Sequence, residues 1–234
     1  MKIGSLYLVP CFLGNPDTNL IAPANRTVIH ALKHFVVENS KSARLFLKQM
    51  EIPTPQSELD VFEMEKHHPK EGLSDFLQVL KQGHDVGVIT EAGMPCVADP
   101  GHLAVQIAHK LGAQVKPLQG LNSMMMALMA SGFGGNQFTF NGYLPFDNNT
   151  RFRKIKEMEA LAFKGVTQLF METPYRNEKM INELLFNLHP NTLLTVAINI
   201  SHPDEKIATH TIGQWKDKIP NMHKLPAVFI IGKY

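Results

Sequence analysis

Two hydrophobic rhythms alternate along this chain. Short runs rich in Val, Ile, Leu and Phe, namely "GSLYLV" (4–9), "HFVVEN" (34–39), "DVGVIT" (85–90) and "QVKPL" (114–118), read as strands. In "EGLSDFLQVLKQG" the residues Leu73, Phe76, Leu77 and Leu80 fall at i, i+3, i+4 and i+7, which predicts one helix with a single apolar stripe, closed by Gly83. Near-continuous Val and Ile runs suit strands covered on both faces, so the first half predicts a mostly parallel sheet with helices above and below it.

After "PLQGLNS" the pattern changes. Asn122 or Ser123 is placed to cap a helix "MMMALMASG" ending at Gly132. There follow a strand in "QFTFNGYL", a charged helix from Thr150, a strand in "VTQLFME", a helix after Pro174, and strands in "TLLTVAINI", "KIATHTI" and "LPAVFIIGK". The last three strands have little helix between them, so the second sheet is expected to be mixed, with antiparallel pairs. The expected domains are 1–117 and 118–234.

Composition narrows the class. A chain of 234 residues, 44% hydrophobic, is long enough for two compact domains or one large one. No apolar run approaches the roughly 18 residues that cross a bilayer, and the N-terminus "MKIGSLYLVP" does not read as a secretory signal, so the expectation is a soluble, cytoplasmic protein with no membrane partner. Cys11 and Cys96 are the only cysteines and lack zinc-ligand spacing, which fits free thiols in a reducing compartment. A set of Cys11, Cys96 and His67 has no metal-site pattern either, and no metal is expected. The net charge of +2 permits RNA without predicting it. Basic clusters at "RFRKIK" (151–156) and "NRTVIHALKH" (25–34) read first as solvated helix faces.

In an open parallel sheet ligands settle at the carboxyl ends of strands. Two loops qualify: "PCFLGNPDTN" (10–19) and "TEAGMPCVADPG" (90–101). The first lacks the glycine fingerprint of a dinucleotide site. The second offers backbone N–H groups from Ala92 to Met94, with Gly93 allowing a ligand near the main chain. The plainer reading of the same loop is a long turn capped by Asp99, before a helix with Pro100 at its first position.

The order "LYLV" with a Gly-Asn-Pro loop, "EAGMPCVADPG", "PLQGLNSMMMALMASG", "FTFNGYLPFDNNTR" and "METPYR" resembles the tetrapyrrole methylase superfamily and, within it, the ribosomal RNA small-subunit methyltransferase I family, which 2′-O-methylates a cytidine. The resemblance runs from about Leu6 to Arg176 and more weakly to "LPAVFIIGK". It implies two α/β domains, the first sheet parallel and the second mixed, with S-adenosylmethionine (SAM) in a cleft between them. It also implies a homodimer and RNA of the small ribosomal subunit as substrate; a small-molecule, tetrapyrrole-like acceptor and a SAM-binding regulatory protein with weakened catalysis are the alternatives. Position by position, it assigns Gly93, Met94 and Val97 to the methionine and ribose parts of the cofactor. Asn122 and Ser123 would face the same pocket, and Met171, Ala197, Pro226 and Ala227 would surround the adenine.

Departures fall on the substrate side. Where the family reads Ser-Asp-Ala-Gly-Thr-Pro-Gly-Ile-Ser-Asp-Pro-Gly, this chain has Thr90-Glu91-Ala92-Gly93-Met94-Pro95-Cys96-Val97-Ala98-Asp99-Pro100-Gly101. The family's Ala-Glu-Asp-Thr-Arg segment is replaced by "VENSKSARLFL", which keeps Glu38 and Arg44. Methyl transfer to a ribose hydroxyl needs a general base. Glu38 and Glu91 are the candidates, with His67 and His68 as weaker alternatives and Asp99 as a cap. Arg151, Arg153 and Arg176 are the expected cations for an RNA backbone.

Overall fold

A computed structural model describes residues 2–64 and 68–234. Their contacts separate two compact units, Met1–Asn122 and Ser123–Tyr234. The division falls a few residues beyond the 117/118 boundary expected from the sequence, because the segment after Pro117 stays attached to the first unit. Leu118 N–H donates to the Leu8 carbonyl at 3.0 Å, and Asn25 Nδ2 donates to the Gln119 carbonyl at 2.6 Å.

The first unit carries β1 (Ser5–Val9), α1 (Pro23–Ala31), β2 (His34–Val37), α2 (Ser40–Gln49), β3 (Asp60–Glu63), α3 (Leu73–Phe76), β4 (Val86–Ile89), α4 (His102–Lys110) and β5 (Gln114–Pro117). The strands form a wholly parallel sheet in the order β3-β2-β4-β1-β5. Both faces are buried, as the apolar runs predicted. On one side Val9, Phe35, Val37 and Ile89 pack with Ile29, Leu32, Phe46 and Leu47 of the α1 and α2 region; on the other Leu6, Val36, Val86 and Val88 pack with Leu73, Leu77, Leu80, Leu103 and Ala104. Gly87 is required in the central strand, since a Cβ there would stand 2.8 Å from the Phe35 ring.

The single helix expected over 71–83 is instead two pieces, α3 and a 3-10 segment Leu77–Leu80. Leu73, Leu77 and Leu80 are nevertheless all fully buried. The edge strand β3, only four residues long, was not legible in the sequence pattern. The helix after Asp99 begins at His102 with Gly101 as its N-cap, so Pro100 lies before it rather than at its first position.

The second unit carries α5 (Ser123–Ser131), β6 (Phe138–Tyr143), α6 (Asn148–Phe163), β7 (Thr167–Glu172), α7 (Asn177–Asn187), β8 (Leu193–Ile198), β9 (Lys206–Thr211), α8 (Ile212–Trp215) and β10 (Ala227–Gly232). Its sheet runs β6-β7-β10-β8-β9, with β6 and β7 parallel and the other pairs antiparallel. One face packs on α6, α7 and α8 around Ile155, Met158, Phe170, Leu184, Val196, Phe229 and Trp215. Near α5, Thr209 Oγ1 donates to the Ser131 carbonyl at 2.8 Å and meets Thr195 Oγ1 at 2.7 Å. Burial alone would raise the pKa of Glu159 on α6, but Lys156, Thr192 Oγ1 and the His189 N–H hold it below the ordinary carboxylate value.

Candidate functional site

In the first unit β1 and β4 are neighbours, yet the chain leaves β1 towards β2 and leaves β4 towards β5, on opposite sides of the pair. That is the reversal point at which open α/β sheets hold ligands. The two loops singled out in the sequence emerge there and are tied together: Cys11 N–H donates to the Gly93 carbonyl at 2.8 Å and Gly93 N–H to the Phe12 carbonyl at 3.2 Å. The Gly93 N–H is thereby spent within the protein, which removes it from the donors expected along Ala92 to Met94.

Gly93 has φ +70°, and a Cβ on it would lie 3.0 Å from Leu13 Cδ2 and 3.3 Å from the Leu121 carbonyl. Past it the loop folds through two more left-handed residues, Cys96 at φ +71° and Ala98 at φ +65°. Such a conformation costs a non-glycine residue about 1–3 kcal/mol and is kept where the surroundings impose it. Cys96 stands where the related motif has glycine. Its thiol pKa is pushed up to about 12, by burial and then by the Asp99 charge; burial also raises that of Cys11.

The predicted cofactor residues of this unit lie along the same loop. Met94 is half-buried, and its sulfur accepts a long hydrogen bond from Asn122 Nδ2 at 3.8 Å; Val97 is 41% exposed. Asp99 Oδ1 accepts from Gly101 N–H at 2.6 Å, which closes a local turn, while Asp99 Oδ2 is buried with no hydrogen-bond partner. A buried carboxylate oxygen without a donor costs about 1–3 kcal/mol or more, so Asp99 Oδ2 is an unspent acceptor in this loop.

Glu38 follows β2 and joins the loop. Its Oε2 accepts from Thr90 Oγ1 at 3.0 Å and from Glu91 N–H at 3.2 Å, and its own N–H donates to the Ile89 carbonyl at 3.2 Å. The two carboxylate candidates are thus adjacent, Glu38 half-buried and committed through one oxygen, Glu91 exposed. Arg44, by contrast, donates to the Gln56 carbonyl at 2.6 Å and serves the fold around α2. His68 is exposed, and His67 lies outside the described residues. Among the described residues no group of three or more His, Cys, Asp or Glu side chains is placed to hold a metal ion.

In the second unit the residues assigned to adenine converge at one end of the sheet. Val228 of β10 stands opposite Met171 of β7 and Ala197 of β8, and Ala227 stands opposite Glu172 and Ile198. Pro226 is exposed just before β10, and its carbonyl accepts from Asn199 N–H at 3.1 Å. Ala197 and Ala227 are buried and Met171 is half-buried at that end. Ser123 opens α5 directly after Asn122.

The cationic residues need correction. Arg151 is 1% exposed and cannot meet a phosphate. All five of its N–H groups are used: Nε donates to Glu183 Oε2 at 2.5 Å, and Nη2 to Glu183 Oε1 at 2.7 Å and Asn148 Oδ1 at 2.6 Å. Nη1 donates to the carbonyls of Pro145 at 2.8 Å and Phe146 at 2.7 Å. The signal was present in the sequence, since Arg151 is in helical phase with Ile155, Met158 and Ala162, the buried stripe of α6. Arg176 is ion-paired to the buried Glu172 at 3.0 Å, while Arg153 is exposed.

A family profile described as Tetrapyrrole (Corrin/Porphyrin) Methylases matches residues 5–216. The ribosomal RNA small subunit methyltransferase I of Bacillus subtilis is 28% identical over 182 residues, covering 78% of this chain and 59% of that protein. Its namesake from Haemophilus influenzae is 27% identical over 231 residues, covering 97% of this chain and 78% of that protein. This chain therefore spans less than two thirds of the first relative. Among solved structures the methyltransferase CobJ superposes with a TM-score of 0.64 at 18% identity, covering 98% of this chain and 94% of that one, a likeness of fold. With its two α/β units, one parallel sheet and one mixed, the chain belongs to the tetrapyrrole methylase family.

Proposed function

We propose that this protein is a SAM-dependent methyltransferase that 2′-O-methylates ribose in RNA of the small ribosomal subunit. The observation that carries the reading is the Glu91–Gly101 loop at the β1/β4 reversal, tied to Cys11 and Phe12 and carrying an unpartnered buried oxygen at Asp99. Similarity to proteins named ribosomal RNA small subunit methyltransferase I over 97% of the chain supports the RNA acceptor. The likeness to CobJ concerns the fold and does not favour a tetrapyrrole acceptor.

The cofactor set is Gly93, Met94, Val97 and Asn122 in the first unit, with Ser123, Met171, Ala197, Pro226 and Ala227 in the second. SAM supplies an electrophilic methyl on a sulfonium leaving group. The protein's part is alignment of the ribose hydroxyl and removal of its proton. Glu91, exposed at the loop, is the base in this reading. Glu38 accepts from Thr90 Oγ1 and Glu91 N–H and so orients the start of the loop, which makes it a positioning residue. Asp99 Oδ2 is the acceptor for a ligand hydroxyl.

No helix among the described residues is long and apolar enough to cross a membrane. A cytoplasmic homodimer is part of the proposal and rests on the family resemblance; a solution mass of 26.2 kDa by light scattering would remove the dimer. The test of the function is calorimetric titration with SAM, followed by transfer of radioactive methyl to small-subunit RNA. Binding with RNA labelling supports the reading, whereas binding with labelling of a small molecule alone replaces the acceptor.

A further inference from the structure

The second unit displays an aromatic ring that the fold holds firmly and leaves uncovered. Phe146 is 82% exposed, although burying such a side chain would stabilise the unit by about 1.5–3 kcal/mol. Its backbone is fixed, because Arg151 Nη1 grips the carbonyls of Pro145 and Phe146, and Asp147 caps α6 by accepting from Thr150 N–H at 2.8 Å and Thr150 Oγ1 at 2.7 Å. One face of the ring is backed by the Arg176 guanidinium, whose central carbon lies 4.3 Å from the ring centroid. Arg176 is held in turn by the ion pair to Glu172, and its N–H donates to the Thr173 carbonyl at 2.9 Å. That turn presents Tyr175, 80% exposed, and Tyr143 at the end of β6 is 56% exposed.

A ring on a guanidinium plane, with a second exposed aromatic next to that arginine in the chain, has the chemistry that receives an unpaired nucleobase. Bases stack on aromatic faces and on arginine planes, and the neighbouring phosphates favour the cations. A lipid would want aliphatic depth instead of a flat polar-edged ring. We propose that Phe146, backed by Arg176, is a platform on which an unpaired base of the RNA substrate stacks, with Tyr175 on the arginine's own turn as a second aromatic for the strand. The inference rests on the RNA reading above. It reassigns Arg151 as well: that side chain acts on RNA only by fixing the segment that carries the platform.

The test uses the full chain with Phe146→Ala, Phe146→Trp and Tyr175→Ala. A dye-labelled oligoribonucleotide reports RNA affinity by anisotropy, calorimetry reports SAM affinity, and methyl transfer reports KM and kcat. Phe146→Ala is expected to weaken RNA binding and raise its KM by about 5- to 150-fold, the range for losing one base–aromatic stack, with a smaller change in kcat and no change in SAM affinity. Phe146→Trp restores affinity, and the new tryptophan's emission is quenched when RNA binds. Because Phe146 is exposed, denaturation followed at the buried Trp215 should match wild type and certify the fold.

RNA affinity of Phe146→Ala within about twofold of wild type overturns the inference, as does loss of self-association at unchanged RNA affinity, which would make the patch an interface between copies. Wild-type protein that binds SAM but neither binds nor methylates RNA overturns the underlying reading instead.

Discussion

The burial of Arg151 makes a quantitative prediction. Replacing it with alanine leaves five acceptors without their donor: two oxygens of Glu183, two carbonyls and Asn148 Oδ1. Removing one partner of a buried ion pair costs about 3–5 kcal/mol. The lower end applies here, because the Glu183 side chain keeps 24% exposure and a second cation, Lys179, at 3.7 Å. Arg151→Lys keeps the charge but brings three donors in place of five, so a loss of about 2 kcal/mol is expected from the acceptors left over. Trp215 is the only tryptophan, lies in the second unit, and is buried with Nε1 donating to the Leu194 carbonyl at 2.8 Å. Its fluorescence during urea denaturation therefore reads that unit directly. Arg151→Ala should lower the stability so measured by about 3 kcal/mol, and the melting temperature by roughly 10 °C for a domain of this size. Stability within about 0.5 kcal/mol of wild type, the range of an ordinary surface change, would refute the buried assignment. A fall in RNA affinity at unchanged stability would restore Arg151 as a phosphate contact, whereas a fall that accompanies the loss of stability is expected from release of the Pro145–Phe146 segment.

Gly93→Ala should cut SAM affinity at least tenfold by calorimetry, because left-handed strain of about 1 kcal/mol and the approach to Leu13 and Leu121 both deform the loop; unchanged affinity would remove the loop from the cofactor site. Cys96→Gly relieves a positive φ and adds freedom to the unfolded chain, so the net effect by calorimetric melting should lie between neutral and about 1 kcal/mol stabilising, and a loss beyond that size would contradict the strain argument. Glu159 and Glu183 both have pKa values lowered from 4.5, Glu183 chiefly by its hydrogen bond from Arg151. A depressed folded pKa means that their stabilisation is complete above 4.5 and lost as pH falls through the folded values, so urea midpoints read at Trp215 should drop below that pH. A flat profile there would contradict the two networks.

Much of the architecture was written in the hydrophobic rhythm, since Val86–Ile89 and Ala227–Gly232 are continuous runs because both of their faces are covered. What local pattern could not supply was the strand order. Only the placement of β1 beside β4 brings Cys11 and Phe12 to Gly93, and no spacing along the chain encodes those two hydrogen bonds. The edge strand β3 carries only Val61 and Phe62 between the exposed Asp60 and Glu63, which leaves no apolar run to read. The split of 73–80 into α and 3-10 pieces is a change in winding that keeps the same leucines inward, so the stripe was legible and the geometry was not. The charge of "RFRKIK" does not by itself place its side chains; helical phase puts Arg151 on the buried stripe of α6 and Arg153 outside it. The pairing of Glu38 with Thr90 and Glu91 and the stacking of Phe146 on Arg176 both depend on tertiary contacts.

The central claim is methyl transfer to ribose in small-subunit ribosomal RNA, and a comparison of 2′-O-methylation maps of that RNA from cells with and without this protein tests it most directly. The account predicts one ribose methyl that disappears with the protein and returns when the wild-type chain is restored, but not when Gly93→Ala is. Identical maps from the two cell lines would contradict it.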